Sequence, residues 1–113
     1  MKVDAGPADL APGGVRVVPT SHLPPPWRSV IVARSADTWV GYWNVCRHLP
    51  IPLDGGLGVL EPGPDWACST HGARFRVADG LCTEGPCVGA ALYPLKVEVE
   101  AGRVWVHAEV PAP

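Results

Sequence analysis

Thr38-Trp39-Val40-Gly41-Tyr42-Trp43-Asn44-Val45 leads without interruption into Cys46-Arg47-His48. Aromatic and β-branched residues dominate the first eight positions, a composition that favours a strand over a helix. The strand therefore delivers a Cys-x-His pair into a loop held by a sheet. Upstream, Ser29-Val30-Ile31-Val32-Ala33 reads as a partner strand, with Arg34 to Asp37 as the hairpin loop. Val15 to Val18 is a shorter strand after the turn Ala8 to Gly14. Pro19 to Pro26 is a loop stiffened by Pro24-Pro25-Pro26, which reads as an extended connector or a recognition surface.

Downstream of His48 the prolines and glycines (Pro50, Pro52, Gly55, Gly56, Gly58, Pro62, Gly63, Pro64) exclude a helix. Brief strands are expected around Val59-Leu60 and Trp66-Ala67, and the second ends at Cys68-Ser69-Thr70-His71. Arg74 to Val77 is another short strand, Ala78-Asp79-Gly80 a turn and Leu81 to Cys87 a loop. Near the end, Val97 and Val99 alternate with Lys96, Glu98 and Glu100. After Ala101-Gly102, Val104 and Val106 alternate with Arg103, Trp105 and His107. That is a hairpin with one buried and one mostly polar face. No helical period is sustained, so the class is all-β: short antiparallel strands closing a small barrel or sandwich.

The chain has 113 residues, enough for one domain with one modest core. Thirteen glycines and fourteen prolines oppose regular helix, while 47% apolar content is too high for a disordered chain. A formal charge of −2 argues against nucleic acid and against a polybasic membrane patch. Met1 to Pro7 has no apolar stretch of the signal-peptide kind. No apolar run approaches the roughly 20 residues that cross a bilayer. The expectation is a soluble, cytoplasmic protein, where a Cys/His pattern more often means metal than disulfides.

Two Cys/His pairs, Cys46/His48 and Cys68/His71, stand nineteen residues apart. Together they offer two soft sulfurs and two imidazole nitrogens, a set that zinc and an iron–sulfur centre accept equally. A structural zinc site that only staples the loops is the non-redox reading of the same four residues.

The wider pattern resembles the Rieske family of 2Fe–2S proteins. The likeness includes Asn44-Val45 before Cys46, Pro52-Leu53-Asp54-Gly55-Gly56 after the first pair, and Trp66 before Cys68. It continues through His71-Gly72-Ala73-Arg74-Phe75, Gly80-Leu81-Cys82, Gly85-Pro86 and the closing hairpin. It covers roughly residues 8–108, the expected single domain, with a cluster-binding subdomain of two loops at about 45–88. Residues 1–7 are expected as a flexible arm and 109–113 as a tail. The resemblance implies one 2Fe–2S cluster per chain, with Cys46 and Cys68 on one iron and His48 and His71 on the other. High-potential members carry a disulfide-forming cysteine in each cluster loop, where this chain has Ile51 and Thr70. They also carry a Ser and a Tyr that donate to the sulfurs, where this chain has Ala73 and Phe75. The resemblance thus implies a low-potential centre.

Cys82 and Cys87 fall outside the ligand pattern and read as two reduced, partly buried thiols, or as a small disulfide or redox-sensing pair. Arg47, Arg74 and Arg76 read either as charge for docking an acidic partner or as ordinary solvated residues. His22 and His107 read as surface histidines. No catalytic residue is expected. By resemblance the chain is an electron carrier, a ferredoxin component between a flavin-dependent reductase and a terminal oxygenase. The alternative is a small subunit of a larger oxidoreductase, of nitrite-reductase or oxygenase kind. A zinc-stapled binding module is the second alternative.

Overall fold

The computed structural model describes residues 1–20, 23–47, 49–69 and 72–111. Its strands are β1 (Lys2–Pro7), β2 (Val15–Pro19), β3 (Ser29–Ser35), β4 (Thr38–Trp43), β5 (Asp65–Ala67), β6 (Arg74–Arg76), β7 (Cys82–Glu84), β8 (Pro94–Glu100) and β9 (Arg103–His107). There is no helix among the described residues. The fold is all-β, as the composition dictates. Six strands form an antiparallel sheet in the order β1-β9-β8-β4-β3-β2, and β5-β6-β7 form a small second sheet.

The β3–β4 hairpin is the wall between two cores. Successive side chains on a strand point to opposite faces, so a strand buried on both sides divides its residues by parity. Val30 and Val32 face one core with Trp43, Val45, Val104 and Val106. Ile31, Ala33 and Tyr42 face the other with Leu53, Trp66, Phe75, Val77 and Leu92. Tyr42 crosses this second core to donate its hydroxyl to the Val77 carbonyl at 2.7 Å, and packs edge-on against Trp66. Burial, with the nearby Asp79 charge adding, pushes the Tyr42 phenol up to about 12.

The outer strands of the six-stranded sheet, β1 and β2, are brought together by one side chain. Arg16 of β2 donates from Nη1 to the carbonyls of Ala5 (2.6 Å) and Pro7 (3.1 Å) on β1. Its Nη2 donates to Asp9 at 2.9 Å. The guanidinium thus satisfies carbonyls that a sheet edge leaves open, and the sheet is nearly closed.

Four sequence expectations change. Residues 1–7, expected as a flexible arm, form β1: Val3 and Ala5 alternate with Lys2 and Asp4, and Ala5 is fully buried. Gly6-Pro7 obscured that period. Cys82–Glu84, expected within a loop, pairs with β6. Val59-Leu60 is not a strand, because Gly58 before it adopts φ +83 and Val59 projects into solvent. The final hairpin turns at Ala101-Gly102 as expected, but Val99 is exposed despite its place in the alternation.

Replacing Arg16 with Ala removes the bridge across the open edge. The expected cost is about 1–2 kcal/mol, read as a lower urea midpoint with unchanged slope.

Candidate metal centre

Both predicted cysteines leave a strand end and enter a short hydrogen-bonded loop. Cys46 follows the β4 end, and its N–H donates to the Ile51 carbonyl at 2.8 Å. Cys68 follows β5, its N–H donates to the Ala73 carbonyl at 2.7 Å, and its own carbonyl accepts from Gly72 at 3.0 Å. The two loops are stapled directly, Ser69 N–H to the Leu53 carbonyl at 2.9 Å. Cys46 and Cys68 are both buried in the same apolar cluster, with Leu53, Trp66, Ala73 and Phe75. The other two predicted ligands, His48 and His71, lie outside the described residues, as does His22. His107 sits on β9 beside Glu98, away from the loops.

A buried polar node sets the course of the first loop. Asn44, 2% exposed, donates from Nδ2 to Ser29 Oγ (3.0 Å) and Asp54 Oδ1 (3.1 Å). Its Oδ1 accepts the Leu53 N–H at 2.8 Å. Asp54, itself buried, then receives the N–H groups of Gly56 (2.9 Å) and Gly58 (2.8 Å). A carboxylate out of water must be hydrogen-bonded, and here backbone N–H groups and one amide do it. Gly55, Gly56 and Gly58 all have positive φ, which lets the spacer curl around that carboxylate. Sequence reading quoted Asn44 and Asp54 but missed their pairing. The available signal was an Asp followed by Gly at the first, second and fourth positions, the composition of a side-chain-capped turn.

Two of the side chains buried with the cysteines are no donors to a sulfur. Ala73 and Phe75 are completely buried, and neither side chain can hydrogen-bond. Gly85, at φ +96, brings the β7 loop onto the second cysteine loop: a Cβ there would stand 2.8 Å from Ala73 Cα. In that loop Cys87 donates to Cys82 Sγ at 3.1 Å, and Cys82 donates to the Glu84 carbonyl at 3.2 Å. Burial, together with the Cys82 contact and the charges of Cys46 and Cys68, pushes the Cys87 thiol up to about 12. The three arginines all have partners. Arg47 donates to the Ala91 carbonyl at 2.6 Å and lies over the Tyr93 ring, Arg74 is 3.8 Å from Glu84, and Arg76 binds Asp79. Trp27, presented by the Pro24-Pro25-Pro26 loop, packs edge-on against Trp43 and Tyr93 below the first loop.

Two buried thiols on adjoining loops, sharing one apolar cluster among the described residues, suit a soft metal centre. The donor chemistry fits iron–sulfur ligation. An all-β domain whose two stapled loops each carry a buried cysteine has the framework of a small metal-binding protein.

Comparison with known proteins identifies which kind. The family model described as the Rieske [2Fe-2S] domain matches residues 3–101. The chain belongs to the Rieske [2Fe-2S] domain family, and its cofactor is a 2Fe–2S cluster. That decides between iron–sulfur and zinc, which the ligand set alone left equal. No curated protein matches by sequence. Among solved structures, the chain is similar to the ferredoxin of carbazole 1,9a-dioxygenase from Nocardioides aromaticivorans IC177. The two share 26% identity at a TM-score of 0.70, over 96% of this chain and 99% of that one. It is similar too to a chain in a complex of reduced oxygenase and oxidized ferredoxin in carbazole 1,9a-dioxygenase (25% identity, TM-score 0.74, 99% and 97% covered). The fold recurs in 31% of the terminal oxygenase of carbazole 1,9a-dioxygenase from Novosphingobium sp. KA1, at 18% identity, a TM-score of 0.71 and with 99% of this chain covered. A cluster of this kind exchanges single electrons, so the domain is an electron carrier.

Asn44→Ala strands the Leu53 N–H and removes one partner of the Asp54 carboxylate. The expected loss of stability is about 2–4 kcal/mol, measured by denaturant unfolding, because buried polar groups are left unpaired.

Proposed function

We propose that Cys46 and Cys68 hold one iron of the cluster and His48 and His71 the other, in a cytoplasmic one-electron carrier. The carrier passes electrons from a flavin-dependent reductase to a terminal oxygenase. The observation that carries this reading is the pair of stapled loops with their two buried thiols, in a chain matched end to end by ferredoxins of oxygenase systems. No helix among the described residues is long and apolar enough to cross a membrane. The cluster-binding part spans about 45–88 of a domain proposed over 8–108, to which β1 adds an edge strand.

Partner docking is supported by apolar side chains on the loops that surround the cysteines. Leu49, Leu57, Val59 and Val88 are all exposed. Beside Cys46 a depression of about 230 Å³ is lined by Pro26, Trp27, Arg47, Leu49 and Tyr93. Exposed apolar residues around an electron-transfer site are what a transient partner covers. The recurrence of the same fold within an oxygenase chain favours, as the second reading, a small subunit fixed in a larger oxidoreductase.

The first test is the EPR spectrum after dithionite reduction, with iron and acid-labile sulfide assayed on the same sample. A rhombic signal of low average g, lost in Cys46→Ser and in His71→Ala, is the expected result. Retention of the signal in both variants would refute the ligand assignment. Titration with a reductase and an oxygenase of the carbazole type, followed by single-turnover reoxidation, tests the partners. A chain that elutes only in a complex with a large subunit would favour the second reading.

The potential is expected in the lower part of the range of about −150 to +300 mV. Its physical cause is the absence of hydroxyl donors at Ala73 and Phe75, since donors to the sulfurs stabilise the reduced state. Phe75→Tyr is therefore expected to shift the potential upward in protein-film voltammetry. A downward shift, or none in a fully loaded variant, would remove that explanation.

A further inference from the structure

Cys82 and Cys87 take no part in the proposed ligation, yet their sulfurs are 3.1 Å apart. A disulfide has an S–S distance of about 2.05 Å, so closure needs an approach of only about 1 Å. The backbone already holds both residues in one small ring. Cys82 is anchored in β7 against Phe75. Beyond it, Cys82 N–H donates to the Ala90 carbonyl at 2.8 Å, Gly89 N–H to the Cys82 carbonyl at 3.3 Å, and Ala90 N–H to the Cys87 carbonyl at 2.9 Å. A Leu81–Ala91 bridge closes the base. Ordering of the chain, normally the main cost of ring closure, is thus already met by the fold.

We propose that Cys82 and Cys87 form a reversible dithiol–disulfide site, oxidised by low-molecular-weight disulfides, that braces the second cysteine loop. The two thiols differ in access. Cys82 is buried, whereas Cys87 is half-buried beside the exposed Val88. Cys87 is the attacking sulfur. As thiolate it displaces one thiol from the small disulfide and forms a mixed disulfide. Cys82, as thiolate, then attacks the Cys87 sulfur and releases the second small thiol. The balance is two protein thiols and one small disulfide giving one protein disulfide and two small thiols, with both protons ending on the released thiols.

The brace follows from packing. The tip of the same ring, Gly85, rests against Ala73, whose carbonyl holds the Cys68 N–H. Oxidation also removes the two S–H donors, so the Glu84 carbonyl loses its bond from Cys82. The two sulfurs are then joined by a covalent bond where one weak hydrogen bond linked them.

The test uses the cluster-loaded protein in buffers of graded oxidised to reduced glutathione, quenched in acid, unfolded and alkylated. The chain has four cysteines, so the expected alkylation count falls from four to two as oxidant rises. The missing pair should map to the peptide carrying Cys82 and Cys87 with two hydrogens lost, and dithiothreitol should restore it. Cys82→Ser should trap glutathione on Cys87, and Cys87→Ser should trap none. Four alkylated thiols at every ratio would overturn the proposal, as would a wild-type mixed disulfide that never resolves. Amide exchange at Cys68 and Ser69 should slow in the oxidised form, and unchanged exchange there would overturn the brace. The proposal rests on the ligand assignment in leaving Cys82 and Cys87 free of metal, but thiol counting does not depend on the electron partner, so its result stands apart from the carrier reading.

Discussion

A carboxylate and an amide placed out of water fix the course of the whole site. Asn44 and Asp54 could not be buried without partners, and the partners available are the backbone N–H groups of the loop they border. Satisfying them obliges the chain after Cys46 to return past Asn44 at Leu53 and then to curl at Gly56 and Gly58. Leu53, pinned in this way, supplies the carbonyl that receives Ser69 from the second loop. One node thus places both cysteine loops. A spacer this rich in glycine and proline has no ladder of its own to hold it, so its order comes from these few bonds.

The node works because its own support is stiff. Asn44 follows directly on β4, and β3–β4 is packed on both faces, with parity deciding which side chain enters which core. Arg16 closes the sheet across its open edge, and Tyr42 ties the wall to Val77 beyond the small sheet. Loops that carry function are best presented by such a rigid frame. The pattern also explains why the residues between the cysteines tolerate exposure. Leu57 and Val59 carry no packing, because the backbone bonds to Asp54 hold the curl without them.

Local pattern carried much of this fold into the sequence, and it failed where pairing was remote. The strands Ser29–Ser35 and Thr38–Trp43 and the final hairpin were legible because each pairs with its neighbour in the chain. β1 was not, since its partner β9 lies about a hundred residues away and Gly6-Pro7 breaks its short period. β7 was read as loop for a related reason: three residues ending before Gly85-Pro86 show no period, and only pairing with β6 defines them. Val99 obeyed the alternation yet is exposed, because β4 pairs with β8 only at Pro94 and Leu95 and Val99 lies beyond that pairing.

The sequence by itself determined the all-β class and the two Cys/His pairs whose surroundings resemble one family. Residue type limits both: glycine and proline forbid helices here, and thiols with imidazoles restrict the metals that can bind. Only the tertiary structure decided that Arg16 closes the sheet, that Asn44 and Asp54 share one buried node, and that Cys82 and Cys87 touch. Each of these is a contact between side chains or backbone groups whose meeting depends on the course of the chain between them, and spacing alone does not reveal that course.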